Sequence, residues 1–368
     1  MRAAVVNAPG AGFVVENVDL ADPLPHEIVV QVRASGLCHS DLSIAQHGMG
    51  FRMPALLGHE VAGEVVEIGA NVTSAKVGDR VVVCMVAGCG TCRECRAARP
   101  YRCLRTASLE RGASEEPRIS RGGEALTQFM GVGGFAERVL VHENLAIPLP
   151  EGISYDVACL LGCGVVTGAG AAVNTAGIRP GDTVAVIGCG GVGLNTIQGA
   201  VLAGASRVIA VDLQAGKLEL AKRFGATDLV DSGNGDAVEA VKELTGGGVD
   251  FSFEVIGLQS TAEQAVRMLS VGGTALLIGV QKPGNRLDVD LFGEIILPQR
   301  RIVGVAMGST SPHRDIPMFA GLYLQGRFNL EDLVSERIGL ADIDRAYQSL
   351  SGGAVARAVV TDFQHRDR

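Results

Sequence analysis

The chain contains no tryptophan, four tyrosines and eleven phenylalanines. So few flat rings give no platform for stacking nucleobases, the usual device of single-stranded nucleic-acid binders. Lysine is scarce as well, five against 27 arginines, a bias that reads as genomic base composition. There is no basic run and the net charge is −8, so neither nucleic acid nor an anionic membrane is a natural partner. No apolar run of about 18 residues exists to make a transmembrane helix. The opening MRAAVVNAPGAGFVVENV has no charged region followed by an uninterrupted apolar core, which speaks against a signal peptide.

What is present is a composition of 47% hydrophobic and 20% charged residues over 368 positions, enough for two domains with large cores. Fifty glycines point to many tight turns and close backbone approaches, as in α/β folds. Nine cysteines, an odd number, cluster at metal-binding intervals. That pattern fits a reducing cytoplasm better than a disulfide framework.

Pattern divides the chain into three. Residues 1–165 show short β-like runs (Ile28–Val32, Val61–Ile68, Arg80–Cys84, Ala136–Val141) broken by Gly and Pro, an irregular all-β domain. Within it, Gly112–Gly123 is polar and reads as a surface loop. Residues 166–306 alternate strands (Thr183–Ile187, Arg207–Val211, Asp228–Val230, Asp250–Val255, Thr274–Ile278, Ile302–Val305) with helices such as Ala215–Phe224 and Gln259–Leu269. Alternation at this spacing predicts a parallel, doubly wound sheet. Residues 307–368 return to a mixed pattern ending in a strand at Ala358–Asp362.

Three motifs carry chemistry. Cys89, Cys92, Cys95 and Cys103 stand as C-x2-C-x2-C-x7-C. Four thiolates complete a tetrahedral zinc shell with no open position, so this site is structural. Val184–Gly193 is an apolar strand running into GxGxxG. Gly188 serves the turn, Gly190 the approach of a pyrophosphate, and Gly193 the packing of the helix, with Gly191 and Val192 between them. Asp212 ends the next strand, where a carboxylate accepts bonds from ribose hydroxyls and repels a 2′-phosphate, favouring NAD over NADP; Lys217 covers the ribose edge. Finally Cys38, His59 and Cys163 form a second zinc set with a position open for water or substrate. Asp41 is placed to accept the other N–H of His59, and Glu60 to approach the metal from outside its shell. Cys84 and Cys159 read as small buried hydrophobes, Cys189 as a spacer, and His26, His142, His313 and His365 as surface residues.

With these residues in view, the chain resembles the zinc-dependent medium-chain alcohol dehydrogenases along its full length. GLCHSDL, LLGHEVAGEVVEIG, the four-cysteine lobe, QFMGVGGFAE, LLGCGVVTGAGA, VIGCGGVGL, FEVIG and LLIGV occur in that family's order. The stretch between the lobe and QFMG is similar to the longer branch of glutathione-dependent formaldehyde, aryl and allylic alcohol dehydrogenases. The resemblance implies a GroES-like catalytic domain (1–165, with the zinc lobe at about 84–105), a Rossmann coenzyme domain (166–306) and a C-terminal return to the catalytic domain (307–368). It implies two Zn²⁺ per subunit, NAD(H), and a homo-oligomer, a dimer rather than a tetramer, pairing edge strands near Ile302–Val305. By the same resemblance Ser40 takes the alcohol's proton, Asp41 and Glu60 support the catalytic zinc, and Thr167 lies near the nicotinamide. Val255, Val280 and Lys217 join the glycines and Asp212 at the cofactor, and Arg357 meets the pyrophosphate. His39 stands where the family often has a pyrophosphate-binding arginine, which implies looser NAD(H) binding. Ser43 replaces the terminal histidine of a proton relay, leaving bulk water or His47 as last acceptor.

The implied reaction is hydride exchange between an alcohol, stabilised as its alkoxide by zinc, and the nicotinamide. Met85, Phe129, Met130 and Ile278 align with the substrate pocket. All are apolar, which favours primary alcohols bearing an apolar, allylic or aryl group. Alternatives are a thiol-dependent formaldehyde dehydrogenase, with Arg52, Arg105 or Arg111 at the pocket mouth, and a dismutase-like enzyme that retains its NAD. A non-catalytic NAD- and zinc-binding protein of the same fold is the alternative from another class.

Overall fold

The computed structural model describes residues 1–351 and 357–364. His365, expected at the surface, and residues 352–356 lie outside the described residues. The chain forms two compact units: residues 1–164 joined by the chain from Ser311 onward, and Val165–Thr310.

The first unit is built on an irregular sheet. Its spine is the strand Glu27–Gly36, which pairs antiparallel with Glu60–Ile68, Arg138–His142 and Arg357–Asp362. Arg80–Val83 and Ala146–Pro148 extend it on one side and Val334–Gly339 on the other. Ile28, Val30, Val32, Val61, Val65, Val81 and Val83 are at most 2% exposed, so β-branched side chains fill the interior of the sheet. A four-stranded sheet (Thr127–Gln128, Ala55–Leu56, Arg2–Val6, Val14–Asn17) shares the same core. The stretch Gly112–Gly123, expected as a surface loop, contains the strand Ile119–Arg121, paired with Asp19–Leu20. Arg118 explains the difference: it is buried, and its Nε donates to Glu27 at 2.7 Å. A charged residue reads as surface in sequence, but here its partner lies 91 residues away.

The second unit carries six strands in the order Asp228–Asp231, Arg207–Asp212, Thr183–Ile187, Val249–Glu254, Leu269–Leu277, Arg301–Gly304, all neighbours parallel. Numbered within the unit this is 3-2-1-4-5-6, the doubly wound order. Strands such as VIAVD are buried throughout because helices cover both faces. Ala237–Thr245 shows how the helices are delimited. Asp236 caps the amide of Val238 at 2.8 Å, and Gly246 stops the helix at φ 71°. The unit runs four residues past the boundary expected at 306. The turn at Met307–Ser309 packs onto the segment Ala171–Ala176, where Asn174 Nδ2 donates to the Gly308 carbonyl at 3.3 Å. Among the described residues, no single helix is long and apolar enough to cross a membrane.

Candidate metal and coenzyme sites

In the first unit Cys38, His59, Glu60 and Cys163 converge, their donor atoms all within 4.8 Å of one another and all four residues buried. Cys38 is the N-cap of the helix His39–His47, so its sulfur sits at the positive end of the helix dipole. His59 lies between the short strand Ala55–Leu56 and the strand that starts at Glu60, and its Nε2 is 3.2 Å from Cys163 Sγ. The other ring nitrogen, Nδ1, is 3.0–3.1 Å from the two Asp41 carboxylate oxygens. Asp41 also accepts the Gly58 amide at 2.9 Å. This fixes the imidazole so that Nε2 faces the sulfurs.

The electrostatics fit a cation. Cys38 is held well below the usual thiol range by the neighbouring Cys163 S–H, against the cost of burial and with help from Arg357 and His59. Cys163 is held well above it by the proximity of Cys38 and by burial. Two buried thiolates therefore do not coexist here without added positive charge. His59 is pulled up by Asp41 and Cys38 in spite of its burial. Burial pushes Glu60 up to about 7 against the pull of Arg357, whose Nη2 donates to Glu60 Oε1 at 2.9 Å. Glu60 Oε2 has no hydrogen-bond partner among the described residues. Two soft sulfurs, one imidazole and an orphaned carboxylate oxygen make a donor set suited to zinc. The sequence placed Glu60 outside the ligand shell; the structure brings its carboxylate into the cluster itself.

The remaining residues of this region fall as follows. Ser40 Oγ donates to Cys38 Sγ at 3.2 Å. Ser43 Oγ is engaged with the His39 carbonyl at 3.0 Å, while His39 and His47 are exposed at the two ends of the helix. Arg357, expected at a pyrophosphate, is buried, donates to Glu60 and lies 3.7 Å from Cys38 Sγ. Phe129 is 2% exposed and meets the His59 ring edge-to-face at 5.5 Å. Phe51, which the sequence reading passed over, packs edge-to-face on Phe129 at 5.1 Å. Its isolation in a Gly- and Met-rich loop gave no periodic signal. Met85 is half-buried against the core, and Met130 is 41% exposed with φ 51°. Arg111 does not stand free at a pocket mouth: its guanidinium is spent on Glu27 and the Asp22 and Glu116 carbonyls. His142 is half-buried rather than exposed, its ring stacked on His26.

The second cluster is local. Cys89, Cys92, Cys95 and Cys103 also place their sulfurs within 4.8 Å of one another. The one-turn helix Arg93–Arg96 turns the chain between ligands, and the amides of Cys89 and Arg105 point at Cys103 Sγ from 3.3 and 3.4 Å. Hydrogen bonds from Thr91 and nearby amides hold Cys89 down at about 6, whereas burial and Cys92 push Cys95 up to about 12. A Zn²⁺ held by all four would let them ionise together. Glu94, inside the lobe, is held by Arg93 and Arg99.

In the second unit the glycine motif has its expected geometry. Gly188 adopts φ 102°, and a Cβ on Gly193 would lie 1.8 Å from the Gly188 carbonyl oxygen, so the helix Gly191–Ala203 lies too close for any side chain there. A Cβ on Gly190 would meet nothing within 4 Å, which leaves that face open to a ligand. Asp212 accepts the Cys189 amide at 2.8 Å and the Gln214 amide at 3.0 Å, tying the acid to the glycine turn. Lys217 and Val255 are half-buried, Ile278 is half-buried and Val280 is 61% exposed. Glu254 went unnoticed in the sequence: it is fully buried and organises the turn after the fourth strand by accepting from Ile256, Gly257 and Thr261. Thr167 Oγ1 lies 3.5 Å from Met307 sulfur, in a turn where Met307, Gly308 and Ser309 all have positive φ (47°, 60° and 50°). Consecutive left-handed residues of this kind are strained and recur at ligand sites.

Comparison with known proteins agrees with both units. Residues 24–151 match the alcohol dehydrogenase GroES-like domain and residues 191–322 the zinc-binding dehydrogenase domain. The NDMA-dependent alcohol dehydrogenase of Amycolatopsis methanolica is 35% identical over 365 residues, covering 98% of each chain. The S-(hydroxymethyl)glutathione dehydrogenase of Synechocystis sp. is 36% identical over 368 residues, covering 98% of this chain and 99% of the other. The crystal structure of benzyl alcohol dehydrogenase from Acinetobacter calcoaceticus superposes with a TM-score of 0.92 at 32% identity, over 98% of this chain and 99% of that one. The chain belongs to the zinc-binding medium-chain alcohol dehydrogenase family. Its activity is that of a zinc-dependent alcohol dehydrogenase acting on small alcohols and aldehydes, and it carries two candidate zinc sites, one catalytic and one structural.

Proposed function

We propose that the enzyme interconverts primary alcohols carrying apolar, allylic or aryl groups with their aldehydes, using NAD(H). The observation that carries the substrate class is the aromatic pair on the ligand: Phe129 against His59, with Phe51 behind it. Such a wall favours a flat or apolar group beside the reacting carbon and excludes water from it. The coenzyme preference rests on Asp212, whose carboxylate is fixed by the Cys189 and Gln214 amides beside the glycine turn. There it would meet a 2′-phosphate with like charge.

Cys38, His59 and Cys163 would hold a zinc ion, which when bound would supply Lewis acidity toward an alcohol hydroxyl. Asp41 keeps His59 oriented for that task. Ser40, beside Cys38 and half-buried, accepts the alcohol's proton and passes it toward solvent. His47, exposed at the far end of the helix, is not folded inward to receive it, which supports water as the last acceptor. Arg357 holds Glu60 close to the ligands.

A homo-oligomer fits the same reading. The edge strand Arg301–Gly304 has an unpaired side among the described residues, and Leu291, Phe292, Ile296 and Leu297 before it are 63–69% exposed. An apolar surface next to a free sheet edge is the kind that a second copy covers. The formaldehyde-adduct reading draws its support from the named Synechocystis relative, and Arg52 and Arg105 are exposed and available to a carboxylate-bearing thiol.

The deciding experiment follows NADH formation from NAD⁺ with short alkyl, long alkyl, allylic and benzylic alcohols, and with formaldehyde in the presence and absence of glutathione. NADP⁺ is run in parallel. Turnover of benzylic and allylic alcohols without thiol, and a strong preference for NAD⁺, is the expected result. Activity confined to formaldehyde plus glutathione would transfer the enzyme to the thiol-dependent class. Enzyme that arrives with stoichiometric bound NAD(H) and turns over only when an aldehyde reoxidises it would mark a retained-coenzyme dismutase.

A further inference from the structure

Cys38 must present its sulfur from an N-cap in extended conformation, φ −105° and ψ 147°, with no side-chain cap to hold it. The helical bond that closes there is long, 3.4 Å from the Leu42 amide to the Cys38 carbonyl. A second donor reaches that carbonyl from 309 residues away, the Tyr347 hydroxyl at 3.2 Å. Tyr347 is 2% exposed on the helix Ile343–Ser351. Its ring stacks on Phe13 at 5.7 Å and 21°, and Phe13 meets Phe135 edge-on at 5.7 Å. Phe135 packs against Gly58, where an added Cβ would come within 2.7 Å of the Phe135 ring, and its amide donates to the Leu57 carbonyl at 3.0 Å. The residue after Gly58 is the ligand His59. One aromatic column therefore runs from the C-terminal helix to the loops bearing two of the three ligands. The Phe13 amide, which donates to Asp344 at 3.0 Å, ties the column back to the same helix.

Packing alone would be served by phenylalanine at position 347. The hydroxyl adds one directed hydrogen bond, and it falls on the peptide of a metal ligand. Ten residues on, Arg357 approaches the sulfur of that same cysteine. Both ends of Cys38, its carbonyl and its thiol, are thus held from the C-terminal part of the chain.

We propose that Tyr347 is a positioning residue for the catalytic metal centre, its hydroxyl fixing the Cys38 peptide so that the thiolate is aimed into the ligand set. It acts through Cys38 and touches neither substrate nor coenzyme. The proposal rests on the reading that Cys38, His59 and Cys163 hold zinc. The catalytic ion should therefore be retained less well when the hydroxyl is lost, while the ion of the four-cysteine lobe, built from a separate stretch of chain, should be indifferent.

The test compares wild-type holoenzyme with Tyr347→Phe, which keeps the ring and its stack. Zinc per subunit is counted during timed dialysis against dipicolinate, and the thiolate-to-metal absorption of enzyme whose catalytic zinc has been exchanged for cobalt is recorded. The expected result is one zinc leaving about three- to ten-fold faster in the variant, the scale of one lost neutral hydrogen bond. The second zinc should leave at the wild-type rate, and the cobalt–thiolate band should be displaced. Equal release of both ions with an unmoved cobalt band, whatever happens to the melting temperature, overturns the proposal and leaves Tyr347 a packing residue. Accelerated loss of both ions equally would also overturn it, since that is general loosening. Wild-type enzyme that binds zinc at the cysteine lobe alone would overturn both this proposal and the reading beneath it, and so is distinguishable from failure of the Tyr347 step.

Discussion

Asp41→Asn is the most searching single change at the catalytic centre, because it alters one atom and leaves the shape intact. Asp41 is completely buried and serves two donors, the Gly58 amide at 2.9 Å and His59 Nδ1 at 3.0–3.1 Å. An asparagine has one acceptor and one donor at the same two positions. With its oxygen at the Oδ1 position it still accepts from Gly58 and Nδ1, but its NH₂ then stands at the Oδ2 position, 3.0 Å from the same ring nitrogen. Flipped over, the NH₂ faces the Gly58 amide. Either way a buried donor meets a donor, and the remaining bonds lose an ionised acceptor. Hydrogen bonds to charged groups are worth about 1.5–3 kcal/mol each, and part of that is forfeited here. A loss of roughly 1.4–2.8 kcal/mol corresponds to about 10–100-fold weaker zinc binding, the usual scale for partners of a ligating histidine. The assay is competition between the metal-depleted protein and a chromophoric chelator, with the four-cysteine site as internal reference. The variant should hold one zinc as tightly as wild type and the other at least ten-fold more weakly, with turnover falling in step with occupancy. If both zincs bind within two-fold of wild type, the carboxylate does not orient His59 and the reasoning fails.

Three further outcomes are expected. Replacing Cys103 with Ser should reduce zinc from two per subunit to one and speed amide exchange across residues 88–105, since the lobe's buried apolar content there is little more than Cys92; a variant that keeps two ions would show the lobe does not need its fourth thiolate. Glu27 is pulled down to about 2 by Arg111, Arg118 and the Leu24 amide in spite of its burial, against an ordinary 4.5. Its contribution, about 3 kcal/mol by linkage, is complete above pH 4.5 and is lost as the pH falls toward 2. The stability gap between wild type and Glu27→Gln in urea should accordingly narrow across that window, and a gap that stays constant would count against the pairing. Phe129→Ala should raise KM for benzylic alcohols more than for ethanol, by about ten-fold or more, because it removes the ring resting on His59; equal effects on both substrates would remove Phe129 from the pocket.

The doubly wound sheet was legible because its cause is periodic. Thr183–Ile187 is β-branched at every position but Ala185 and has glycine immediately after it, and the strand observed has those bounds. The two metal clusters were legible for a different reason, that sulfur and imidazole at these intervals have few other uses. Long-range partners left no such trace. Arg118 is charged and looked exposed until Glu27 was seen beside it. Phe51 is a single aromatic in an unpatterned loop, and Tyr347 falls on the buried face of its helix with Ile343 and Ala346, where periodicity announces a core ring but not the partner of its hydroxyl. Glu60 shows the boundary well. Its adjacency to His59 announced a role, but the approach of its carboxylate to the ligand atoms depends on Arg357, 297 residues further along.

The two zinc sites also differ in when they can exist. All four cysteines of the lobe lie within 15 consecutive residues, so that site is complete once the chain has been made as far as Cys103. Closing so short a loop costs little entropy, and an ion can be captured while the rest of the sheet is still unformed. The other site draws on positions 38, 59 and 163, and its supports Tyr347 and Arg357 lie well downstream of Cys163 in the chain. The lobe can therefore hold an ion as a nucleus of local structure, whereas the other set needs the strand Arg357–Asp362 joined to the sheet before its supports are in place. A chain truncated before that strand would carry the ornament of a metalloprotein without its reactivity.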